Sequence, residues 1–457
     1  MKSISKPLLA FALGLGTAAT PLLTYATNGY FGIGYGTASR GMGGAAAALP
    51  EDSLVAATNP AGMVWVGSRF DLGADLFRPP RRVSAKGIYG LNTENNKSTD
   101  NLFPLPGMGV NFQQNDKFSL GMSVVGNGAN THYKQNFFSL TGQSSAGTYG
   151  DLGVQLVQMQ ILPTASYKIS KTQSVGASLV IGVQNFWARG LGNFSAPEFQ
   201  FSADNDKLTN KGNDWGQGAG LRVGWLGKFL DDRLSFGAAY GSKVYMSKLS
   251  LYKGLFANGG EFDIPANWVV GFAVKATPQL TFAYDYQKIY YSDVAAIGHR
   301  HPTTSINDPC TRPIAYTGGC NTPGATPNPT DQALGASNSW GFGWRDQIAH
   351  KIGISYEAMP GVITLRAGYN FGKSPIPDDQ LLFSMLAPAL SERMLTLGAT
   401  MLIDNDLQIS MSYIRAFKNS QSCVAPTCKT MLTQNAGEYV AAELQYQALG
   451  FAFGLKF

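Results

Sequence analysis

Charge is scarce in this chain of 457 residues: only 14% are Asp, Glu, Lys or Arg, against roughly 25% in an ordinary soluble domain. Disorder is excluded, since disordered chains are charge-rich and poor in apolar groups, whereas 44% of these residues are apolar and 12% aromatic. Histidine and cysteine number four each. His132, His299, His301 and His350 stand near no nucleophile motif, and Gly-x-Ser-x-Gly does not occur, so no enzyme is expected. A formal net charge of +6 over this length argues for no nucleic-acid partner. Long apolar runs are also missing. Beyond the first 26 residues none approaches the ~18 that a spanning helix needs, and a mean hydropathy of −0.06 is too polar for a helical membrane bundle. The 54 glycines are dispersed without a triplet period, which excludes collagen. A chain that alternates apolar and polar residues averages near zero hydropathy even when one face of every segment is greasy.

The alternation is present. Read back from the end, Phe457, Leu455, Phe453, Phe451 and Leu449 are bulky and apolar, while Lys456, Gly454, Ala452, Gly450 and Ala448 between them are small or polar. Strand side chains alternate between faces, so one face suits lipid and the other a barrel lumen. Leu280, Phe282, Tyr284 and Tyr286 oppose Thr281, Ala283, Asp285 and Gln287 in the same way, and Leu407, Ile409, Met411 and Tyr413 oppose Gln408, Ser410 and Ser412. Six tight turns separate pairs of such segments, at 114–117, 170–173, 228–233, 277–279, 359–361 and 404–406. With a first strand from Arg69 and a last one over 438–457, the count is fourteen. Long connections at about 91–105, 130–153, 190–213, 246–266, 291–345, 373–392 and 418–437 fall on the opposite side from the turns. Short turns on one side and long loops on the other predict an all-β fold: a 14-stranded antiparallel transmembrane β-barrel in the bacterial outer membrane, closed so that no backbone group is left unpaired in lipid.

The ends fit that compartment. Lys2 and Lys6, the apolar stretch Leu8 to Leu23 and the small residues around Ala26 read as a signal peptide, 1–26. Terminal Phe457 is the expected contact for the barrel-assembly machinery. The cysteines form two close pairs in predicted loops, Cys310 with Cys320 and Cys423 with Cys428. An oxidising compartment predicts disulfides; zinc is the alternative, for which His299-x-His301 is a weak signal, and no metal or cofactor is expected.

Residues 27–67 have a different character. Seven glycines crowd 29–44, four alanines follow at 45–48, and a short helix is expected near Asp52–Ala57, ahead of Asn59-Pro60. A small, reversal-rich segment suits a compact plug in a barrel lumen, with the barrel itself over 68–457. Gly32-x-Gly34-x-Gly36 lacks the strand and the Lys-Ser/Thr of a phosphate loop. Asn28-Gly29-Tyr30-Phe31, Gly34-Tyr35-Gly36, Ser39-Arg40-Gly41-Met42-Gly43-Gly44-Ala45 and Asn59-Pro60-Ala61-Gly62-Met63 resemble the N-terminal signature of the FadL family. Tyr252–Ala257, Phe262–Trp268 and the Asp285-Tyr286 to Ile297-Gly298 region extend the resemblance along the chain.

That resemblance implies a fourteen-stranded barrel closed by an N-terminal hatch, and passive uptake of long-chain fatty acids or hydrocarbons by a monomer. It implies that ligand lands on an apolar groove among the outer loops, reaches a site inside the barrel and leaves sideways into the membrane through a kink in the third strand. Asn59, Pro60 and Ala61 are then the expected hatch tripeptide. Gly126, Asn127 and Gly128, where alternation breaks in the third strand, are the expected lateral opening. Independently, 246–266 reads as a helix whose apolar stripe, Met246, Leu249, Leu251, Tyr252, Leu255 and Phe256, is a candidate ligand-binding groove. Partners are thus a hydrophobic small molecule and outer-membrane lipid and lipopolysaccharide. A general diffusion porin and a surface adhesin are the competing classes; the porin needs an open lumen, which the N-terminal insert opposes.

Overall fold

In the computed structural model the described residues are 28–138, 150–195, 201–305, 332–403 and 406–457. The expected signal peptide, Cys310 and Cys320 lie outside them. Fourteen strands make the wall: β1 Arg69–Arg78, β2 Phe103–Asn115, β3 Phe118–Tyr133, β4 Leu152–Lys168, β5 Gln173–Arg189, β6 Asp214–Phe229, β7 Leu234–Gly241, β8 Asn267–Lys275, β9 Leu280–Ile289, β10 Gln347–Met359, β11 Ile363–Phe371, β12 Arg393–Leu402, β13 Leu407–Val424 and β14 Tyr439–Lys456. Each pairs antiparallel with the next, and β1 pairs with β14 from Arg69 opposite Lys456 to Arg78 opposite Gln447, which closes the cylinder. Among the described residues no helix is long and apolar enough to cross a membrane; strands make the crossing.

Side-chain alternation builds the two surfaces. On β1, Leu72 and Leu76 are exposed on the outer face while Asp71 and Asp75 are buried inside, and on β14 Phe451, Phe453 and Leu455 point outward. In water such a surface would be costly at about 25 cal/mol per Å² of apolar area; in hydrocarbon that penalty vanishes. The five expected tight turns that lie wholly within the described residues join consecutive strands on one side, and the described parts of the long connections lie on the other.

Three short strands add to the wall. The first long connection does not run as a plain loop over 91–105. β1 ends before Pro79-Pro80, because proline cannot donate to a sheet ladder, and the chain then forms a hairpin of Arg81–Lys86 with Asn92–Lys97. That hairpin extends the outer end of β14, with Lys86 opposite Tyr439 and Arg81 opposite Leu444. The third piece, Tyr245–Met246, pairs with β6.

Before β1 the chain makes three short helical turns, Thr37–Gly41, Ser53–Ala57 and Pro60–Trp65, and nearly all of residues 28–66 are buried. The expected turn near 52–57 is there, begun by the Asp52 carboxylate accepting from the Leu54 N–H at 2.9 Å. The segment meets inward-facing residues right round the cylinder, from Asp75 on β1 to Thr396 on β12.

Candidate functional site

The N-terminal segment is fastened to the wall by two kinds of contact. Around residues 40–66 they are ionic or dense. Arg40 pairs with Asp75, and Arg366 on β11 pairs with Glu51 at 2.5 Å. Asp71 accepts from the Ser53 N–H and hydroxyl at 2.8 and 2.6 Å and is held by Arg69. Asp285 on β9 accepts from the Ala46 and Ala47 N–H groups at 2.8 and 2.9 Å. Asn59, fully buried, donates to the Ala47 and Trp225 carbonyls at 2.7 and 3.0 Å and accepts from the Ala61 N–H. Ser166 and Ser174 both donate to the Ala61 carbonyl. Beside these fastenings, at the short-turn end, lies a polar cavity of about 310 Å³ lined by Arg40, Glu51, Asp52, Arg69, Asp71 and Arg366.

Residues 28–35 are held by neutral contacts instead. The Tyr291 hydroxyl donates to the Asn28 carbonyl at 2.6 Å and accepts from the Tyr30 N–H. Asn127 on β3 accepts from the Gly32 N–H at 3.3 Å and from the Tyr35 hydroxyl at 2.8 Å. The Gly128 N–H donates to the Tyr30 carbonyl.

Asn127 and Gly128 sit at an interruption in the wall. The β2–β3 ladder runs from Asn115 opposite Phe118 only as far as Met108 opposite Val124. Beyond it β2 stays paired to β1 up to Phe77 opposite Phe103, and β3 stays paired to β4 up to Tyr133 opposite Leu152. The chain ahead of β2 closes the gap at the outer end, where Ser98 bridges to Tyr133 and the Thr99 N–H donates to the His132 carbonyl at 2.7 Å. Between these points β3 loses its in–out alternation: residues 125–128 are all buried. Facing them on β2 are Pro104 and Pro106, which have no N–H to offer a neighbour.

Above the N-terminal segment the long connections enclose an apolar chamber. Phe186 at the end of β5 meets Phe256 edge-on at 4.7 Å, and Phe194 lies 5.5 Å from Phe383. Leu255, Leu334, Trp340 and Phe342 complete much of the lining around a cavity of about 50 Å³. Space on that scale holds little more than a water molecule or two, so a ligand must part the rings to enter. Next to Phe383, at 5.0 Å, stands the buried His301 ring, whose Nδ1 donates to the Pro302 carbonyl, while the residue's backbone N–H donates to the Gln380 side-chain oxygen. Burial pushes its imidazole down to about 4, so it is neutral at pH 7.

The chain matches one family model over residues 32–457, described as outer membrane protein transport protein (OMPP1/FadL/TodX). The chain belongs to the OMPP1/FadL/TodX family. This is a family of outer-membrane transport channels and not an enzyme class, and membership places the chain in the bacterial outer membrane as a multi-pass barrel. Among solved structures it is similar to the Pseudomonas putida toluene transporter TodX, with 18% identity and a TM-score of 0.62 over 93% of this chain and 99% of that one. A Pseudomonas aeruginosa FadL homologue gives 15% identity and a TM-score of 0.61 over 95% and 100%. The Ralstonia pickettii toluene transporter TbuX gives 17% and 0.56 over 93% and 98%. At these identities the likeness is one of fold. No curated protein matches by sequence.

Within this FadL-type barrel the sequence-predicted residues fall as follows. Asn59, Pro60 and Ala61 begin the turn Pro60–Trp65 and are packed against β4, β5 and β6. Gly126, Asn127 and Gly128 lie just past the last β2–β3 pair. The 246–266 connection is not a helix: it makes only the turns Ser250–Tyr252 and Ala257–Gly260, and Asn258 and Gly259 take φ of 56° and 72°, which no right-handed helix accepts. Nor is its stripe an outer surface. Met246, Leu249, Tyr252 and Phe256 are buried, and Leu251 and Leu255 are half-buried. Leu255 and Phe256 reach the chamber, while the Tyr252 hydroxyl is spent on the Gly212 carbonyl and the Ala188 N–H. Cys423, among the last residues of β13, forms a disulfide with Cys428 just past the strand's outer end. Sequence reasoning missed Pro104 and Pro106; two prolines spaced by one residue inside an alternating segment were the available signal, since proline in a sheet marks an unpaired edge.

Proposed function

We propose that this chain carries hydrophobic small molecules, long-chain fatty acids or hydrocarbons, passively across the outer membrane and releases them sideways into it. Ligand enters among the outer loops, lodges in the ring-lined chamber and moves residues 28–35. The segment 27–67 acts as a hatch, and Asn59, Pro60 and Ala61 hold its body in place while its leading arm shifts. The observation that carries the reading is the β2–β3 interruption: it leaves a stretch of wall whose free edge is taken by the arm itself, through Gly128 and Asn127. Displacing the arm uncovers a route from lumen to lipid. Physical cost favours that route, since a solute passing directly into hydrocarbon is spared re-hydration worth about 0.8 kcal/mol per CH₂. The toluene transporters TodX and TbuX and the FadL homologue share the barrel, which supports a hydrophobic cargo. Phe457, exposed beside Phe112 at 5.7 Å, is the residue the barrel-assembly machinery would read, and the chain works as a monomer.

The test is uptake of labelled oleate and labelled toluene by cells lacking the chain and by cells supplied with it. Uptake of at least one that depends on the chain supports the proposal; independence of both overturns it. Single-channel recording separates the porin alternative, for which a large steady conductance is required and for which the packed lumen leaves no room.

A further inference from the structure

The chamber's chemistry narrows the cargo. Three features act together. Its lining is aromatic or aliphatic, and among the described residues no Lys or Arg lines it. Two cations near it along the chain are paired elsewhere, Lys253 with Asp204 at 2.7 Å and Arg300 with Asp379 at 2.5 Å. The buried imidazole next to it is neutral. A carboxylate placed here would therefore be desolvated without a counter-charge, which is among the costliest arrangements a protein interior can hold.

Beside these three stands a single polar atom. Trp340 is 3% exposed and forms part of the chamber wall. Its ring packs 5.7 Å from Phe201, and its Nε1–H has no acceptor among the described residues. An indole N–H can only donate, and an orphaned buried donor is a standing penalty that a ligand oxygen would remove. The other tryptophan of this wall region, Trp344, donates its Nε1–H to Ser384 at 3.1 Å, so the orphan is particular to Trp340 and not a general property of this ring cluster.

Resting on the transport reading above, we propose that the chamber is a site for neutral, compact aromatic molecules bearing one hydrogen-bond acceptor, an aryl ketone being the matching class, with Trp340 Nε1–H as the donor that orients them. The rings meet the cargo's π-face and edge, the small cavity disfavours long flexible chains, and the lone donor receives the lone acceptor. Hydrocarbons of the same size fit the rings but leave Trp340 orphaned; aryl carboxylates fit the rings but bring an unpaired charge.

Three probes with one ring and different substituents test this: toluene, acetophenone and benzoate. Binding is measured to the purified full-length chain in detergent, with partition into empty micelles subtracted. Acetophenone is expected to bind about a hundredfold or more tighter than benzoate. In W340F the acetophenone-to-toluene affinity ratio is expected to fall about tenfold. An unchanged ratio, or benzoate within tenfold of acetophenone, overturns the assignment. If W340F does not fold, the carbonyl stretch of acetophenone bound to the wild-type chain decides: a shift to lower frequency than in alkane supports the Trp340 contact, and an alkane-like frequency overturns it. Failure here is distinct from failure of transport. Uptake of oleate or toluene that depends on the chain, with no preference for the ketone, sinks only this inference; uptake of none sinks the transport reading.

Discussion

Asn127 ties the N-terminal arm to the wall at two points, because one side-chain oxygen accepts from both the Gly32 N–H and the Tyr35 hydroxyl. Asn127→Ala leaves both donors short of an acceptor inside a dry space, at a local cost of about 1–3 kcal/mol. The expected result is faster hydrogen exchange over residues 28–35 with the melting temperature of the barrel unchanged; equal exchange in variant and wild type would count against the latch. Arg366 is the contrasting case. Arg366→Met strips the partner from Glu51, and the double variant with Glu51→Gln should recover most of the loss, since the penalty lies in the uncompensated charge. Thermal unfolding of the four members of that cycle measures it. The residue scale is also where the sequence was least transparent. Asp285 is readable as inward-facing from its parity on β9, and it does face inward. Its two bonds to Ala46 and Ala47 depend on where a glycine- and alanine-rich segment comes to rest, which no periodicity encodes.

At the scale of elements, β2 deserves a test of its own. Pro104 and Pro106 deny β3 two backbone donors along the interrupted stretch. The double variant P104V/P106V restores both donors in a residue type that favours strands. The ladder should then extend past Met108 opposite Val124, with slower exchange along 103–107 and 125–131 and lower uptake of cargo. Unchanged exchange would show that the prolines are incidental. The loop packing around His301 makes a pH prediction. Its folded value is about 4 against the ordinary 6.5, so the opened state binds the extra proton between those limits. The packing is therefore fully stable above pH 6.5 and weakens as pH falls toward 4. Near-ultraviolet circular dichroism of the loop aromatics should lose intensity over that window, and H301Q should flatten the response. Strands such as β9, β13 and β14 were legible because lipid on one side and polar lumen on the other impose a strict period of two. The 246–266 connection was misjudged for the converse reason: its apolar residues recur at helix-like spacing, yet Asn258, Gly259 and Gly260 break any helix, and the apolar side chains turn inward to neighbouring loops.

Across the whole molecule the N-terminal segment is held to the wall in two ways. The body of the N-terminal segment is tied by Arg40, Glu51, Asp71 and Asp285 to β1, β9 and β11. Its leading arm is tied by neutral contacts to Asn127, at the interruption, and to Tyr291, beyond the end of β9. Closure of fourteen strands was readable from turn count and alternation alone, and membership of the OMPP1/FadL/TodX family agrees with it. The stop in the β2–β3 ladder was not readable from periodicity, because pairing is a property of two strands at once. The decisive measurement is uptake of labelled hydrophobic solute by cells lacking the chain, supplied either with the wild type or with the β2 variant P104V/P106V at equal surface abundance. Lateral release predicts uptake with the wild type and its loss with the variant. Equal uptake with both would contradict it.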